Sequence, residues 1–197
     1  MIRSFIAIDL NPDVRRRLSA TQDLLREVLP KEPIRWVRPD GIHLTLKFLG
    51  DQPPDRIESI QARLRDWAGE GTPLDLRIGG AGAFPDASRP RVVWVAVEEP
   101  SGRLQEWVDR LEAGLEGLGI RREERPFQPH LTLGRIKDRL SPSGLAALTK
   151  QLAALQGESM VDLHVETVCL FRSELRPSGA VYTILATAHL GRGRESE

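Results

Sequence analysis

The chain has 197 residues, 40% of them hydrophobic and 28% charged, a balance that excludes disorder and supplies enough apolar surface for a sizeable core. Lysine plus arginine number 28 and aspartate plus glutamate 28, so there is no global positive field and an anionic partner must be met by a local patch. The one cysteine, Cys169, excludes an internal disulfide and fits a reducing, cytoplasmic setting, and no apolar run approaches the ~18 residues of a membrane-crossing helix.

Residues 2–10 alternate as a first strand and carry no signal-peptide pattern. Asn11-Pro12-Asp13 then starts a helix whose apolar row, Val14, Leu18, Leu24, Leu25 and Val28, runs up to Pro30. Ile34–Val37 is a short strand and His43–Leu49 a longer one, ended by Gly50 and Pro53-Pro54. Ile57, Ile60, Leu64 and Trp67 mark a second helix. Leu74–Ile78 and Val92–Val97 read as strands, with Gly79–Pro85 as a turn in the connection between them. A third helix starts at Ser101, and a strand runs from about Phe127 to Ile136. Ser141-Pro142 opens a fourth helix to Gln156. Val161–Phe171 and Ala180–Leu190 close the chain as a strand pair, with the tail Gly191–Glu197 frayed.

Strand pairs joined by Gly/Pro turns, with helices between, predict an α+β fold. The halves have similar content. The expectation is one bilobal domain over residues 1–197: two pseudo-symmetric lobes of mainly antiparallel sheet with outer helices and no flexible linker.

The halves also share a nine-residue frame, R-P-x-x-x-H-L-T-L, beginning at Arg38 and again at Arg125. Alternation along a strand puts His43 with Thr45 on one face and Leu44, Leu46 and Phe48 on the other. His130 and Thr132 stand in the same way against Leu131 and Leu133. If the lobes are related by a rough two-fold, the two polar faces line a central cleft. Two imidazoles near their ordinary pKa of about 6.5 suit a reaction in which one proton is removed and another delivered. Hydroxyl donors between them suit a phosphate.

Cys169 lies in the apolar stretch Val168–Phe171 and reads as a buried structural thiol, and His164 and His189 read as satisfied or exposed side chains. Neither motif has a nearby Cys, Asp or Glu on its histidine face, and no H-E-x-x-H or C-x-x-C occurs, so no metal or cofactor is expected. A phosphate loop and a G-x-S-x-G elbow are also missing. Lys47, on the face of His43, is either a rim cation or a solvated lysine.

FIAIDL, HLTLKFLG, HLTLGRI and LFRSEL together resemble the 2H phosphoesterase superfamily, and within it the RNA 2′,3′-cyclic phosphodiesterases, also called 2′-5′ RNA ligases. The resemblance spans residues 3–190 and implies a metal-independent enzyme that opens a 2′,3′-cyclic phosphate to a 2′-phosphate, with ligation as a possible further reaction. It implies that His43 protonates the departing O3′ and that His130 takes a proton from water. Thr45 and Thr132 would hold the phosphate oxygens, with Arg135 as a further phosphate ligand. Strict alternation places Arg135 on the leucine face, so a strand irregularity at Gly134 is expected if it reaches the cleft. The implied partners are RNA 3′ ends or nucleotides with a cyclic phosphate, met by local arginines such as Arg35, Arg38 and Arg135. Trp36 and Phe171 are candidates for base stacking, and a monomer without an obligate protein partner is expected. The rival readings are a 2H enzyme for another cyclic or 2′,5′-linked phosphodiester, and an RNA-terminus or tRNA-binding module.

Overall fold

The computed structural model describes residues 1–157, 161–177 and 179–191. The expected frayed tail therefore lies outside the described residues, Gly191 excepted. The first half runs β1 (Ile2–Ile8), α1 (Pro12–Val28), β2 (Ile34–Trp36), β3 (Leu44–Gln52), α2 (Pro54–Gly69) and β4 (Leu74–Phe84). The second runs β5 (Val92–Glu98), α3 (Arg103–Glu116), β6 (His130–Ile136), α4 (Pro142–Leu155), β7 (Val161–Val165), β8 (Thr167–Arg176) and β9 (Gly179–His189). Two helices begin as their caps dictate. The Asn11 side chain accepts from the Val14 N–H at 2.9 Å and the Ser141 hydroxyl from the Gly144 N–H at 2.9 Å, each with proline next in sequence.

The strands form two antiparallel sheets, ordered β3-β1-β8-β9 and β2-β6-β5-β4-β7. Each motif strand, β3 or β6, lies beside the strand that opens its own half, β1 or β5. Strands cross between the halves: β4, after α2, joins the sheet of β6, while in the second half β7, after α4, stays in that sheet and β8 joins the sheet of β3. The halves are thereby interlocked. Helices are exchanged too, with α1 and α4 packed on the five-stranded sheet and α2 and α3 on the four-stranded one. The larger of two apolar clusters among the described residues joins both lobes, from Ile6, Leu18 and Leu44 to Leu64, Leu76, Leu131 and Leu170. Each such side chain contributes about 1.5–3 kcal/mol by leaving water.

Two strand readings need correction. Val161–Phe171 is divided at Glu166, so that β7 pairs with β4 in one sheet and β8 with β1 in the other. The apolar run hid the break, because β8 is central and buried on both faces, Val168 and Leu170 on one and Cys169 and Phe171 on the other. Gly79–Pro85 is not a turn, since β4 continues through Phe84. Gly80, at φ +68°, is looped out between the paired Gly79 and Ala81. Gly82 lies under the Trp94 ring, where a Cβ would come within 2.4 Å of a ring carbon. Among the described residues no helix is long and apolar enough to cross a membrane.

Candidate active site

Both motif strands break alternation at the same place. Ala7 opposes Thr45 while its neighbour Ile6 opposes Lys47, so Leu46 is an extra, bulged residue in β3. Trp94 opposes Thr132 while Val93 opposes Gly134, so Leu133 is the equivalent bulge in β6. Directly opposed residues share a face, which gives the side-chain directions past each bulge. Thr45 and Phe48 lie on the face of Ala7 and Phe5, and Lys47 turns to the core side with Ile6. Likewise His130, Thr132 and Arg135 share the face of Ala96, Trp94 and Val92, and Gly134 turns to the core. Phe48 and Arg135 therefore occupy equivalent positions, each directed cleftward by a bulge.

The expectation that Phe48 lies with the leucines is thus wrong: it is 63% exposed. Lys47, with Glu112, borders the cleft, but it is a buried and paired cation, not a solvated one. Its side chain is only 4% exposed, its ammonium lies 2.6 Å from the Glu112 carboxylate of α3, and it donates to the Arg121 carbonyl at 2.6 Å. The irregularity expected at Gly134 is present one residue earlier, at Leu133, and Arg135 does face the cleft. Gly134 itself is needed for packing, since a Cβ there would lie 2.9 Å from the Trp36 ring.

Each bulge is gripped by a helix of the other half. Gln22 of α1, with no solvent exposure, donates from its amide to the Leu133 carbonyl at 2.8 Å and the Val37 carbonyl at 2.7 Å. Glu112 of α3 plays the matching part through Lys47. Neither residue was singled out from sequence, although Gln22 falls on the helical row of Leu18 and Leu25 and so carried a signal of burial.

Thr45, Phe48, His130, Thr132 and Arg135 line one cleft of about 880 Å³, with Phe84, Arg91 and the charged segment Arg122–Arg125 as further walls. His43 is not among the lining residues. It precedes β3 and is half-buried beside Thr45, stacked on Phe5 with ring centroids 4.5 Å apart and met edge-on by Tyr182 at 5.0 Å. His130 is met edge-on by Phe84 at 4.9 Å. The proposed stacking residues lie elsewhere: Phe171 is buried in the aromatic stack behind Phe5, and Trp36 packs over Gly134 and under the Arg26 guanidinium.

The two imidazoles are held alike. His43 Nδ1 lies 3.0 Å from the Gly41 carbonyl and His130 Nδ1 2.7 Å from the Gln128 carbonyl, each two residues upstream. A carbonyl only accepts, so Nδ1 carries the hydrogen in each neutral ring and Nε2 keeps its lone pair. Burial among aromatics lowers the His43 pKa to about 4, against the opposing pull of the Gly41 hydrogen bond and Asp9. Burial also lowers that of His130, with the nearby Arg135 charge acting in the same sense. In the free protein, then, both rings are neutral at pH 7, whereas ordinary histidines would have left one within easy reach of protonation.

His164 stands apart on β7, exposed and 2.6 Å from Asp75 of β4, which raises its pKa. Cys169 is buried and its thiol pKa is raised by that burial. Among the described residues no group of three or more His, Cys, Asp or Glu side chains is placed to hold a metal ion.

The interlocked two-lobed α+β fold, with one motif in each half, is that of the LigT-like 2H phosphoesterases. The family model described as LigT like Phosphoesterase matches residues 8–94 and again 95–182, one copy on each half, and the chain belongs to that family. It is 35% identical over 182 residues to the RNA 2′,3′-cyclic phosphodiesterase of Methanothermobacter thermautotrophicus, covering 92% of this chain and 95% of that one. To the protein of the same name from Thermus thermophilus it is 35% identical over 190 residues, 93% of this chain and 88% of the relative. The crystal structure of TT0787 from Thermus thermophilus superposes with a TM-score of 0.79 at 30% identity, over 98% of this chain and all of that one.

Proposed function

We propose that this phosphoesterase opens a terminal 2′,3′-cyclic phosphate of RNA or a nucleotide to a 2′-phosphate, using His43 and His130 as acid and base without a metal. The observation that carries the reading is the doubled His–Thr pair, each histidine with Nδ1 engaged by a backbone carbonyl and Nε2 left available for proton transfer. Names borne by relatives at 35% identity support the substrate class.

His130 Nε2 takes a proton from a water whose oxygen attacks phosphorus. The P–O3′ bond breaks, and protonated His43 delivers its Nε2 proton to O3′, leaving a 3′-hydroxyl and a 2′-phosphomonoester. Thr45 and Thr132 donate to the non-bridging oxygens and Arg135 offsets their charge. Neutral His43 must first acquire its proton. A bound phosphate anion favours the imidazolium and raises its pKa, so binding prepares the acid. With a 5′-hydroxyl RNA end replacing water, the same displacement of O3′ would give a 2′,5′ linkage; abundant water favours hydrolysis. The interlocked strands support reading the chain as one bilobal working unit, and the single cysteine suits a cytoplasmic one.

Turnover of a cyclic-phosphate RNA oligomer, with and without EDTA, tests this. His43→Ala and His130→Ala are each expected to lower kcat by roughly 10²- to 10⁴-fold, and His164→Ala to leave it unchanged. Loss of activity in EDTA would defeat the metal-free step.

A further inference from the structure

Arg35 of β2 and Arg135 of β6 are directly opposed in register, so their side chains leave the same face of the five-stranded sheet. Both are exposed, and among the described residues neither has an ion pair. This contrasts with Arg38, which is paired with Asp40 at 2.8 Å. Arg15, Arg16, Arg26, Arg110, Arg172 and Arg176 are likewise matched to acids.

Like charges directly opposed across a strand pair are destabilising. Here the repulsion falls at the rim of the cleft, since Arg135 lines it and Arg35 is one strand further out, about 4.8 Å away. The Arg35 guanidinium reaches the turn of the β8–β9 hairpin, where a Cβ on Gly179 would sit 3.2 Å from its Nη2. The same hairpin supplies Tyr182, whose ring meets His43. Arg35 thus stands at the lip where an edge of one lobe meets the hairpin of the other, on the His43 side of the cleft.

We propose that Arg35 and Arg135 form a second phosphate subsite, which takes the internucleotide phosphodiester next to the reacting cyclic phosphate. This rests on the phosphodiesterase reading above and makes the preferred substrate an RNA end, not a mononucleotide. The two non-bridging oxygens of that phosphodiester offer each guanidinium a charge-assisted acceptor, and their negative charge offsets the repulsion between the arginines. Arg135 is shared: it faces the reacting group on one side and the next phosphate on the other.

The test compares uridine 2′,3′-cyclic phosphate with the dinucleotide UpU ending in a 2′,3′-cyclic phosphate, which adds one internucleotide phosphate. The wild type is expected to favour the dinucleotide in kcat/KM. Arg35→Ala is expected to shrink that preference by roughly tenfold, the loss of one charge-assisted phosphate contact. Arg35→Lys keeps part of it, and Arg35→Glu reverses it. Because Arg35 is exposed on a short edge strand, Arg35→Ala is also expected to keep or raise Tm, which separates the effect from misfolding. A wild-type ratio near one, or an unchanged ratio in Arg35→Ala with both substrates turned over, would overturn the subsite alone. If the wild type turned over neither substrate, the phosphodiesterase reading and the subsite would fall together.

Discussion

Replacing Lys47 by methionine keeps most of the side chain's volume and removes its charge. In the native fold the ammonium and the Glu112 carboxylate are 2.6 Å apart, with side chains 4% and 8% exposed. Lys47→Met leaves Glu112 without its cation and the Arg121 carbonyl without its donor. Removing one partner of such a buried pair costs about 3–5 kcal/mol, because the remaining charge has lost both water and partner. For a domain of this size each kcal/mol lowers Tm by about 2–4 °C, so a fall of at least ~6 °C is expected. Lys47→Met/Glu112→Leu, which removes both charges, should recover most of that loss. Thermal unfolding by circular dichroism on wild type, both single variants and the double variant closes the cycle. A single-variant cost below about 1 kcal/mol, or a double variant as unstable as the sum of the singles, would refute the reasoning.

The matching contact in the other lobe has its own consequence. Gln22→Met leaves the Leu133 carbonyl with fewer donors and should cost about 1–3 kcal/mol. It should also raise KM, because the bulge that turns Arg135 to the cleft is loosened; an unchanged KM would detach Gln22 from the site. Gly134→Val drives a side chain into Trp36 and Ile34 and should destabilise by about 1–3 kcal/mol, read by chemical denaturation. The pH profile follows from the two lowered histidines. In the free enzyme the acid, His43, is protonated only below about pH 4, and the base, His130, is deprotonated above a pKa that lies below 6.5. The kcat/KM profile should therefore peak on the acid side of 6.5, whereas kcat, measured with the phosphate bound, should peak at higher pH. Coincident optima near pH 7 would contradict the pKa directions.

The doubled H-L-T-L frame was legible because alternation holds from His43 to Thr45 and from His130 to Thr132, ahead of either bulge. Helix starts at Asn11 and Ser141 were legible because a side-chain cap is local chemistry. Beyond the bulges the same rule assigned Phe48 and Lys47 to the wrong faces, since a bulge is a relation between a strand and its partner. The break at Glu166 was hidden for a similar reason: two strands entering different sheets can share one unbroken apolar run. Lys47 looks like surface chemistry until the helix that buries it is in place. The anomaly at Arg135 could be foreseen because Gly134 marked it. No glycine marks Leu46, and its bulge left no local trace.

The most direct test of the proposed chemistry is the identity of the product. An RNA oligomer ending in a 2′,3′-cyclic phosphate, incubated with EDTA-treated enzyme and followed by ³¹P NMR, is expected to yield the 2′-phosphomonoester alone. A 3′-phosphate product, or no turnover until a metal is added back, would contradict the assignment of His43 as the acid on O3′ and the two-histidine mechanism with it.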